Sequence, residues 1–105
     1  MTRKREYKTL PLTERDVKRQ VKDYLKLRGI FYFCPLQGLG CTPGVSDFIG
    51  IYQGRFLAVE TKAPKGKLTP AQTAFLDNVR KQGGIGLVAW SVDDVIEGLN
   101  NREEL

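Results

Sequence analysis

The chain has 105 residues, of which 41% are apolar and 28% charged, and these values predict one globular domain. It contains no histidine, which excludes Ser-His-Asp triads, Cys-His pairs and every histidine-dependent nuclease or zinc site. Without histidine, the two cysteines Cys34 and Cys41 cannot complete a four-ligand zinc site. Any catalysis must therefore use carboxylates, lysine, hydroxyl groups and a hard metal ion.

The net charge of +5 is concentrated near the N-terminus. Residues 1–28 contain ten Lys or Arg and four Asp or Glu, a net charge of +6, whereas residues 29–105 contain seven and eight, a net charge of −1. This distribution favours a polyanionic partner such as nucleic acid, although a solvated, solubilising helix face would explain it as well.

Neither a membrane span nor a signal peptide is expected. No apolar run approaches the roughly 20 residues that cross a bilayer. The basic N-terminal residues are followed by a polar segment, where a signal peptide would be apolar. We therefore expect a cytoplasmic protein without a membrane partner.

We expect a basic N-terminal arm at residues 1–12 and a single domain at residues 13–105, which begins with a helix. Thr13 followed three residues later by Asp16 predicts a helix N-cap. Apolar residues then recur at helical spacing until Gly29, and the other faces of this helix are basic.

Three strands are expected next. Residues 30–34 are β-branched and aromatic, and a glycine- and proline-rich loop follows at 35–44. Residues 45–51 and 55–62 read as two further strands. Their connection at 52–54 is too short to cross over the sheet, so the pair should form an antiparallel hairpin.

The remaining elements are a helix, a strand and a last helix. Thr69 as N-cap and Pro70 at the first helical position predict a helix that ends at residues 83–84. Residues 85–90 read as the fourth strand, and Ser91 opens the last helix. The order α-β-β-β-α-β-α predicts an α/β fold with a mixed sheet flanked by helices.

Two acids and a lysine interrupt the apolar strands. Glu60 and Lys62 lie two residues apart, so their side chains should share one face of the strand while Thr61 points to the other. The hairpin should place Asp47 opposite Glu60. The alternative is a solvated ion pair at a strand end, with Asp47 as an ordinary turn residue.

A cluster of this kind suits a hard cation. Two adjacent carboxylates repel each other unless a cation lies between them. Mg²⁺ or Mn²⁺ accepts such oxygen ligands and can activate water for attack on phosphorus. Lys62 could then orient the attacking water or stabilise the charge of the transition state.

These residues carry a family resemblance. Gly44-Val45-Ser46-Asp47, followed after a short hairpin by Glu60-Thr61-Lys62, resembles the PD-(D/E)XK nuclease signature, and most of the chain resembles the stand-alone VRR-NUC (virus-type replication-repair nuclease) branch. One difference is Ser46, which stands where the motif often has proline. The resemblance implies a restriction-endonuclease-like α-β-β-β-α-β core and a bacterial or phage-infected host cell.

The resemblance also implies roles for individual residues. Asp47 and Glu60 would be metal ligands, Thr61 would offer its backbone carbonyl, and Lys62 would be the catalytic lysine. Glu14 matches the acid of the family's first helix, and we expect it to share the inward face as a further metal ligand.

Two alternatives apply to the helix-start residues. Gln72 matches the glutamine that begins the second helix, a catalytic position in the family, but glutamine there would equally complete a capping box. Glu14 could simply favour the dipole of a first helical turn.

Several basic residues are candidates for contacts with the phosphate backbone. Lys65 and Lys67 follow the catalytic lysine in a short basic loop, which could also be merely exposed. The other candidates lie in the N-terminal arm and on the first helix: Arg3, Lys4, Arg5, Lys18 and Lys22.

The sequence thus predicts a divalent-metal-dependent DNA endonuclease that needs Mg²⁺ or Mn²⁺ and no small-molecule cofactor beyond it. The resemblance adds branched substrates, such as four-way junctions or flaps in DNA repair, and a homodimer. Two alternatives remain open: a non-catalytic basic nucleic-acid-binding module, and a sequence-specific or RNA-directed nuclease of the same superfamily.

Overall fold

A computed structural model describes residues 12–103, which form three α-helices and one four-stranded mixed sheet in the predicted order. The arm residues Arg3, Lys4 and Arg5 lie outside the described residues. The elements are α1 Glu14–Leu27, β1 Phe31–Phe33, β2 Phe48–Tyr52, β3 Arg55–Thr61, α2 Pro70–Lys81, β4 Ile85–Ala89 and α3 Val92–Glu103.

Side-chain caps fix where the first two helices begin. The Thr13 hydroxyl accepts from the Asp16 backbone N–H, and the Asp16 carboxylate accepts from the Thr13 backbone N–H. Thr69 and Gln72 form the same reciprocal pair at the start of α2. Each pair gives two backbone N–H groups at the start of a helix a hydrogen-bond acceptor. Because both partners lie within four residues, the local sequence determines where these helices begin.

The sheet has the strand order β1-β2-β3-β4. The first three strands are antiparallel, and β4 runs parallel to β3 after the crossover through α2. Phe48 pairs with Val59 in the β2–β3 register. Extending this register by one residue sets Asp47 opposite Glu60, as predicted.

Helices cover both faces of the sheet. On one face, α1 and α3 enclose the larger core with inward residues of the strands, among them Val17, Leu57 and Leu99. On the other face, Leu76 and Val79 of α2 pack against the strand residues Ile49 and Ala58. Glu60 follows Ala58 at the two-residue strand spacing, so it lies on the α2 face of β3.

The strands are shorter than the sequence patterns predict, for identifiable reasons. The Ile30 backbone N–H donates to the Leu25 carbonyl at the end of α1, so β1 begins only at Phe31. The second strand begins at Phe48 rather than at residue 45. The Thr61 N–H, which could extend the ladder there, donates instead to the Asp47 side chain.

Among the described helices, none combines the length and the apolar character needed to cross a bilayer.

Candidate active site

A cavity of about 350 Å³ opens where α1, the start of β2, the end of β3 and the start of α2 meet. Three acids from separate elements, Glu14, Asp47 and Glu60, contribute to its wall. Its other lining residues are Lys18, Cys34, Pro35, Gln37 and Gln72. The fold therefore brings together the two strand acids and both helix-start residues that the sequence singled out.

Asp47 is held firmly in this cavity by its neighbour on β3. Its Oδ2 accepts a hydrogen bond from the Thr61 hydroxyl at 2.6 Å and another from the Thr61 backbone N–H at 3.0 Å. Its Oδ1 lies 3.6 Å from Nζ of Lys18. With only 9% of its side chain exposed, Asp47 presents a single oriented oxygen to the cavity rather than a mobile carboxylate.

Glu60 is the most buried acid of the site, with 4% of its side chain exposed. Its Oε2 accepts a hydrogen bond from the Gln72 side-chain amide at 3.1 Å and lies 3.9 Å from Nζ of Lys62. Its Oε1 is buried and has no hydrogen-bond partner among the described residues. A buried, unpartnered carboxylate oxygen is energetically costly, so this atom is suited to receive a ligand.

The environment of Glu60 disfavours its negative charge. Burial above all, together with the negative charges of Asp47 and Glu14, raises the pKa of the Glu60 carboxyl from 4.5 to about 7, although the positive charge of Lys62 opposes the rise. Because a divalent cation would offset both the burial and the repulsion, this carboxyl is a candidate metal ligand rather than a structural one.

Lys62 lies beside Glu60 as the strand spacing predicts, and 12% of its side chain is exposed. Its backbone N–H donates to the Ala89 carbonyl, which fixes the chain at this point to β4. The low exposure of both side chains rules out the alternative of a solvated strand-end ion pair.

The Gln72 side chain completes the capping box and also contacts the site acid Glu60. Its side-chain oxygen accepts from the Thr69 backbone N–H, completing the capping box, and its side-chain nitrogen donates to Glu60. The two bonds use opposite ends of one amide, so the cap fixes the direction in which the amide reaches Glu60.

Glu14 lies closer to solvent than its helical spacing predicts. The apolar residues of its stripe, Val17 and Val21, are fully buried, whereas Glu14 is exposed at the rim of the cavity. Its charge nevertheless contributes to the raised pKa of Glu60. The structure thus brings Glu14 to the site without burying it there.

The basic residues divide between the cavity and the surrounding surface. Lys65 and Lys67 are exposed in the loop after β3. The Trp90 indole N–H donates to the Gly66 carbonyl at 2.8 Å and so anchors this loop. Lys22 lies on the exposed basic face of α1, whereas Lys18, on the same helix, reaches Asp47.

Three features of the site were not anticipated from the sequence. They are the Thr61 hydroxyl bond to Asp47, the Lys18–Asp47 ion pair and the packing of Gly44 against α2. The sequence did contain a signal for the Lys18–Asp47 ion pair, because Lys18 follows Glu14 by one helical turn and so lies on the same face of the helix. Gly44, with a φ of 73°, allows the loop before Asp47 to lie directly against the Ala71 carbonyl.

The oxygen donors of this cavity fit a hard divalent cation. Within residues 12–103, no group of three or more His, Cys, Asp or Glu is arranged to hold a metal ion by itself. The Asp47 and Glu60 carboxylates would therefore need a backbone carbonyl and water as further ligands, a combination typical of Mg²⁺. Oδ1 of Asp47 and the unpartnered Oε1 of Glu60 are the two carboxylate oxygens available for this purpose.

Comparison with known proteins identifies the family of the chain. The family model described as the VRR-NUC domain matches residues 15–93, most of the chain. A solved structure titled "VRR_NUC domain protein" is similar to this chain with 25% identity and a TM-score of 0.69, covering 87% of this chain and 88% of its own. No functionally curated protein gives a significant match. The chain belongs to the VRR-NUC family of nuclease domains.

Proposed function

We propose that this protein is a divalent-metal-dependent DNA endonuclease that hydrolyses phosphodiester bonds at the Asp47–Glu60–Lys62 cluster. The observation that carries the proposal is the buried Oε1 of Glu60, which has no hydrogen-bond partner among the described residues and belongs to a residue that lines the same cavity as Asp47. A purely structural glutamate at this position would leave that oxygen unsatisfied without a compensating interaction.

Asp47, Glu60 and the backbone carbonyl of Thr61 would hold Mg²⁺ or Mn²⁺, with Glu14 as a further, more exposed acid. When bound, such an ion activates water for attack on phosphorus and neutralises charge on the phosphoryl oxygens. The Thr61 hydroxyl and N–H both orient Asp47, and the Gln72 amide orients Glu60. The chain itself therefore supplies a preorganised pair of carboxylates.

Lys62 supplies the positive charge that histidine-free chemistry requires. Its ammonium group lies beside Glu60 in a largely buried position, where it can donate hydrogen bonds to the attacking water and to phosphoryl oxygens. Burial also strengthens its electrostatic effect on the developing negative charge. Gln72 is a positioning residue in this mechanism, because it acts on the reaction through Glu60.

Phosphate contacts around the cavity would hold the DNA. The candidates are the exposed loop lysines Lys65 and Lys67, the α1 lysines Lys18 and Lys22, and the arm residues Arg3, Lys4 and Arg5. Contacts to phosphates position DNA without reading its sequence. Together with the family resemblance, this supports selectivity for branched structures such as four-way junctions or flaps. The resemblance alone suggests the setting, which is DNA repair in the cytoplasm of a bacterial or phage-infected cell.

A second copy of the chain is the proposed partner, since symmetric incision of a four-way junction needs two active sites. Support comes from an apolar row across the sheet: Phe31 pairs with Ile51, which pairs with Phe56, and all three are exposed. With exposed Phe33, this row presents on the order of 400 Å² per protomer, about half of one side of a standard interface. A two-fold contact would bury both copies of the row at once.

Analytical ultracentrifugation tests the dimer. Replacing Phe31 and Ile51 with serine should shift the protein to monomer, while Leu27→Ser, at an exposed apolar residue on α1, should not. A wild-type monomer at micromolar concentration would contradict the homodimer and leave the active site unaffected.

The nuclease activity is tested by cleavage of labelled duplex, single-stranded, flap and four-way-junction DNA, and of matching RNA, with Mg²⁺, Mn²⁺ or EDTA. Wild type is compared with Lys62→Ala and with Lys81→Ala, an exposed lysine at the far end of α2. Metal-dependent cleavage that only Lys62→Ala abolishes is the expected result. Binding of every substrate without cleavage, whether metal or EDTA is present, would instead support a nucleic-acid-binding module.

A further inference from the structure

A lysine forms an ion pair with the Asp47 oxygen that would face a metal ion. Nζ of Lys18 lies 3.6 Å from Oδ1 of Asp47, while Oδ2 of the same carboxylate is taken by two hydrogen bonds from Thr61. The second oxygen is therefore fixed by β3, and the first is the one left to interact with a cation. In this structure the cation beside Oδ1 is the ammonium group of Lys18.

The position of Lys18 differs from that of Lys62. Lys62 is part of the strand end, its side chain is 12% exposed, and it pairs with Glu60. Lys18 lies on α1 next to the rim of the cavity, and 48% of its side chain is exposed. A half-exposed lysine on a four-carbon stem can move away from its partner into solvent, so that its own charge is not left buried and unpaired.

The charge balance of the cavity gives Lys18 a function. Glu14, Asp47 and Glu60 all line it, and among the described lining residues only Lys18 is basic, with Lys62 paired to Glu60 nearby. Three adjacent acids destabilise one another when no cation is present. The Lys18 ammonium group relieves part of this repulsion at Asp47.

We propose that Lys18 holds the place of the divalent cation at Asp47 in the metal-free protein and is displaced from Oδ1 when metal binds. This proposal rests on the proposed function, because it takes Asp47 as a metal ligand. Lys18 therefore keeps the carboxylate oriented before metal arrives and lowers the affinity for metal by competing for the same oxygen. After displacement, its ammonium group is available to a phosphate at the rim of the cavity.

The test is the dissociation constant of Mn²⁺, measured by calorimetry in the absence of DNA. Removing the competing ammonium should make Lys18→Ala bind Mn²⁺ about fivefold more tightly than wild type, the effect of one partly exposed ion pair. Lys22→Ala removes the same charge from the same helix but outside the cavity, so it should change the constant by less than about twofold. Circular dichroism confirms that each variant is folded.

A second measurement follows the ion pair itself. In EDTA, the melting temperatures of wild type, Lys18→Ala, Asp47→Asn and the double variant should show coupling between the two residues, and saturating Mn²⁺ should abolish the stabilising effect of Lys18. Asp47→Asn should also lose most of its Mn²⁺ affinity.

The outcomes separate this proposal from the proposed function. Metal-dependent cleavage with equal or weaker Mn²⁺ binding in Lys18→Ala, or with the same change in Lys22→Ala, overturns the displacement and leaves the nuclease intact. Absence of Mn²⁺ binding without DNA, with cleavage intact, overturns it as well. If wild type neither binds Mn²⁺ nor cleaves any substrate, both proposals fail together.

Discussion

The Thr61 hydroxyl donates a hydrogen bond to Oδ2 of Asp47 at 2.6 Å, and the Thr61 backbone N–H donates to the same oxygen at 3.0 Å. The middle residue of the Glu60-Thr61-Lys62 run thus has a second task besides the carbonyl predicted from the family resemblance. It ties the acid before β2 to the strand that carries the other two site residues. Thr61 therefore helps the β2–β3 register to fix the placement of Asp47 relative to Glu60.

Replacement of Thr61 by valine should reduce cleavage about 10- to 100-fold, the usual effect of removing the hydrogen-bond partner of a metal ligand. Valine preserves the shape of this fully buried side chain and the backbone N–H bond, so the variant should remain folded. Steady-state cleavage and Mn²⁺ titration measure the effect. Thr61→Ser, which keeps the hydroxyl, should retain most activity, and equal losses in both variants would contradict the role of the hydroxyl.

Two variants of Gln72 can separate its role in capping α2 from its role in positioning Glu60. Gln72→Glu keeps an acceptor for the Thr69 N–H, so the capping box should survive, but it replaces the donor to Glu60 with a second carboxylate. We expect near-wild-type thermal stability at acidic pH, where the new carboxyl is protonated, and a clear loss of cleavage at neutral pH.

Gln72→Ala is the complementary variant, because it removes both contacts. It should lower the free energy of unfolding by about 1 kcal/mol through the lost cap and lower cleavage as well. If Gln72→Glu cleaves DNA as well as wild type, the contact with Glu60 has no role in positioning.

The raised pKa of Glu60 predicts how the stability of the metal-free protein depends on pH. The folded protein keeps the Glu60 proton up to about pH 7, whereas the unfolded chain releases it near 4.5. The stabilising contribution is therefore fully present below about 4.5 and is lost as the pH rises through about 7. Metal binding, which needs the carboxylate, should strengthen over the same range.

The measurement is thermal unfolding in EDTA between about pH 5 and pH 8. Wild type should lose stability as the pH rises to about 7 and level off above it, and Glu60→Gln, which cannot ionise, should show a smaller loss. The difference between the two proteins isolates Glu60 from all other titrating groups. A parallel decline in both would show that the Glu60 carboxyl does not ionise in this range.

Gly44 should be intolerant of a side chain for two reasons that can be separated. Its φ is 73°, and an added Cβ would lie 2.2 Å from the Ala71 carbonyl oxygen. Gly54 has a similar φ of 79° with open space around it, so Gly54→Ala incurs only the backbone strain of about 1–2 kcal/mol. Gly44→Ala should be destabilised more in urea unfolding and should also lose activity, because Asp47 follows three residues later.

Local patterns explain what could be predicted from the sequence. Both N-caps are reciprocal contacts within four residues, Thr13 with Asp16 and Thr69 with Gln72, so residue types alone identify them. The placement of Asp47 opposite Glu60 likewise follows from the short hairpin turn, which fixes the register.

Contacts between distant elements could not be predicted in the same way. The Lys18–Asp47 pair depends on how α1 is rotated against the sheet, and helical spacing alone leaves a lysine free to face solvent. The exposed position of Glu14 has the same origin, since the buried apolar stripe of α1 begins only at Val17, one turn after Glu14. The predicted start of β2 at residue 45 is wrong because the Thr61 backbone N–H donates to the Asp47 side chain instead of to a backbone carbonyl of β2.

The loop after β3 is anchored rather than free, and this bears on DNA binding. The Trp90 indole N–H donates to the Gly66 carbonyl at 2.8 Å, between the two exposed lysines Lys65 and Lys67. Anchoring reduces the conformational entropy that the loop would lose on binding DNA. The two lysines are therefore presented in a defined position next to the strand end that carries Lys62.

Replacing both Lys65 and Lys67 with alanine should weaken DNA binding and reduce the slope of log affinity against log salt concentration by about 2, since each phosphate contact contributes about 0.9. Cleavage at saturating DNA should change little, because neither residue lines the cavity. Fluorescence anisotropy in Ca²⁺ over a range of salt concentrations gives the slope. Replacing Lys26 and Lys81, two exposed lysines on α1 and α2, removes the same charge elsewhere; an equal change in slope in that variant would mean that net charge, not this loop, determines binding.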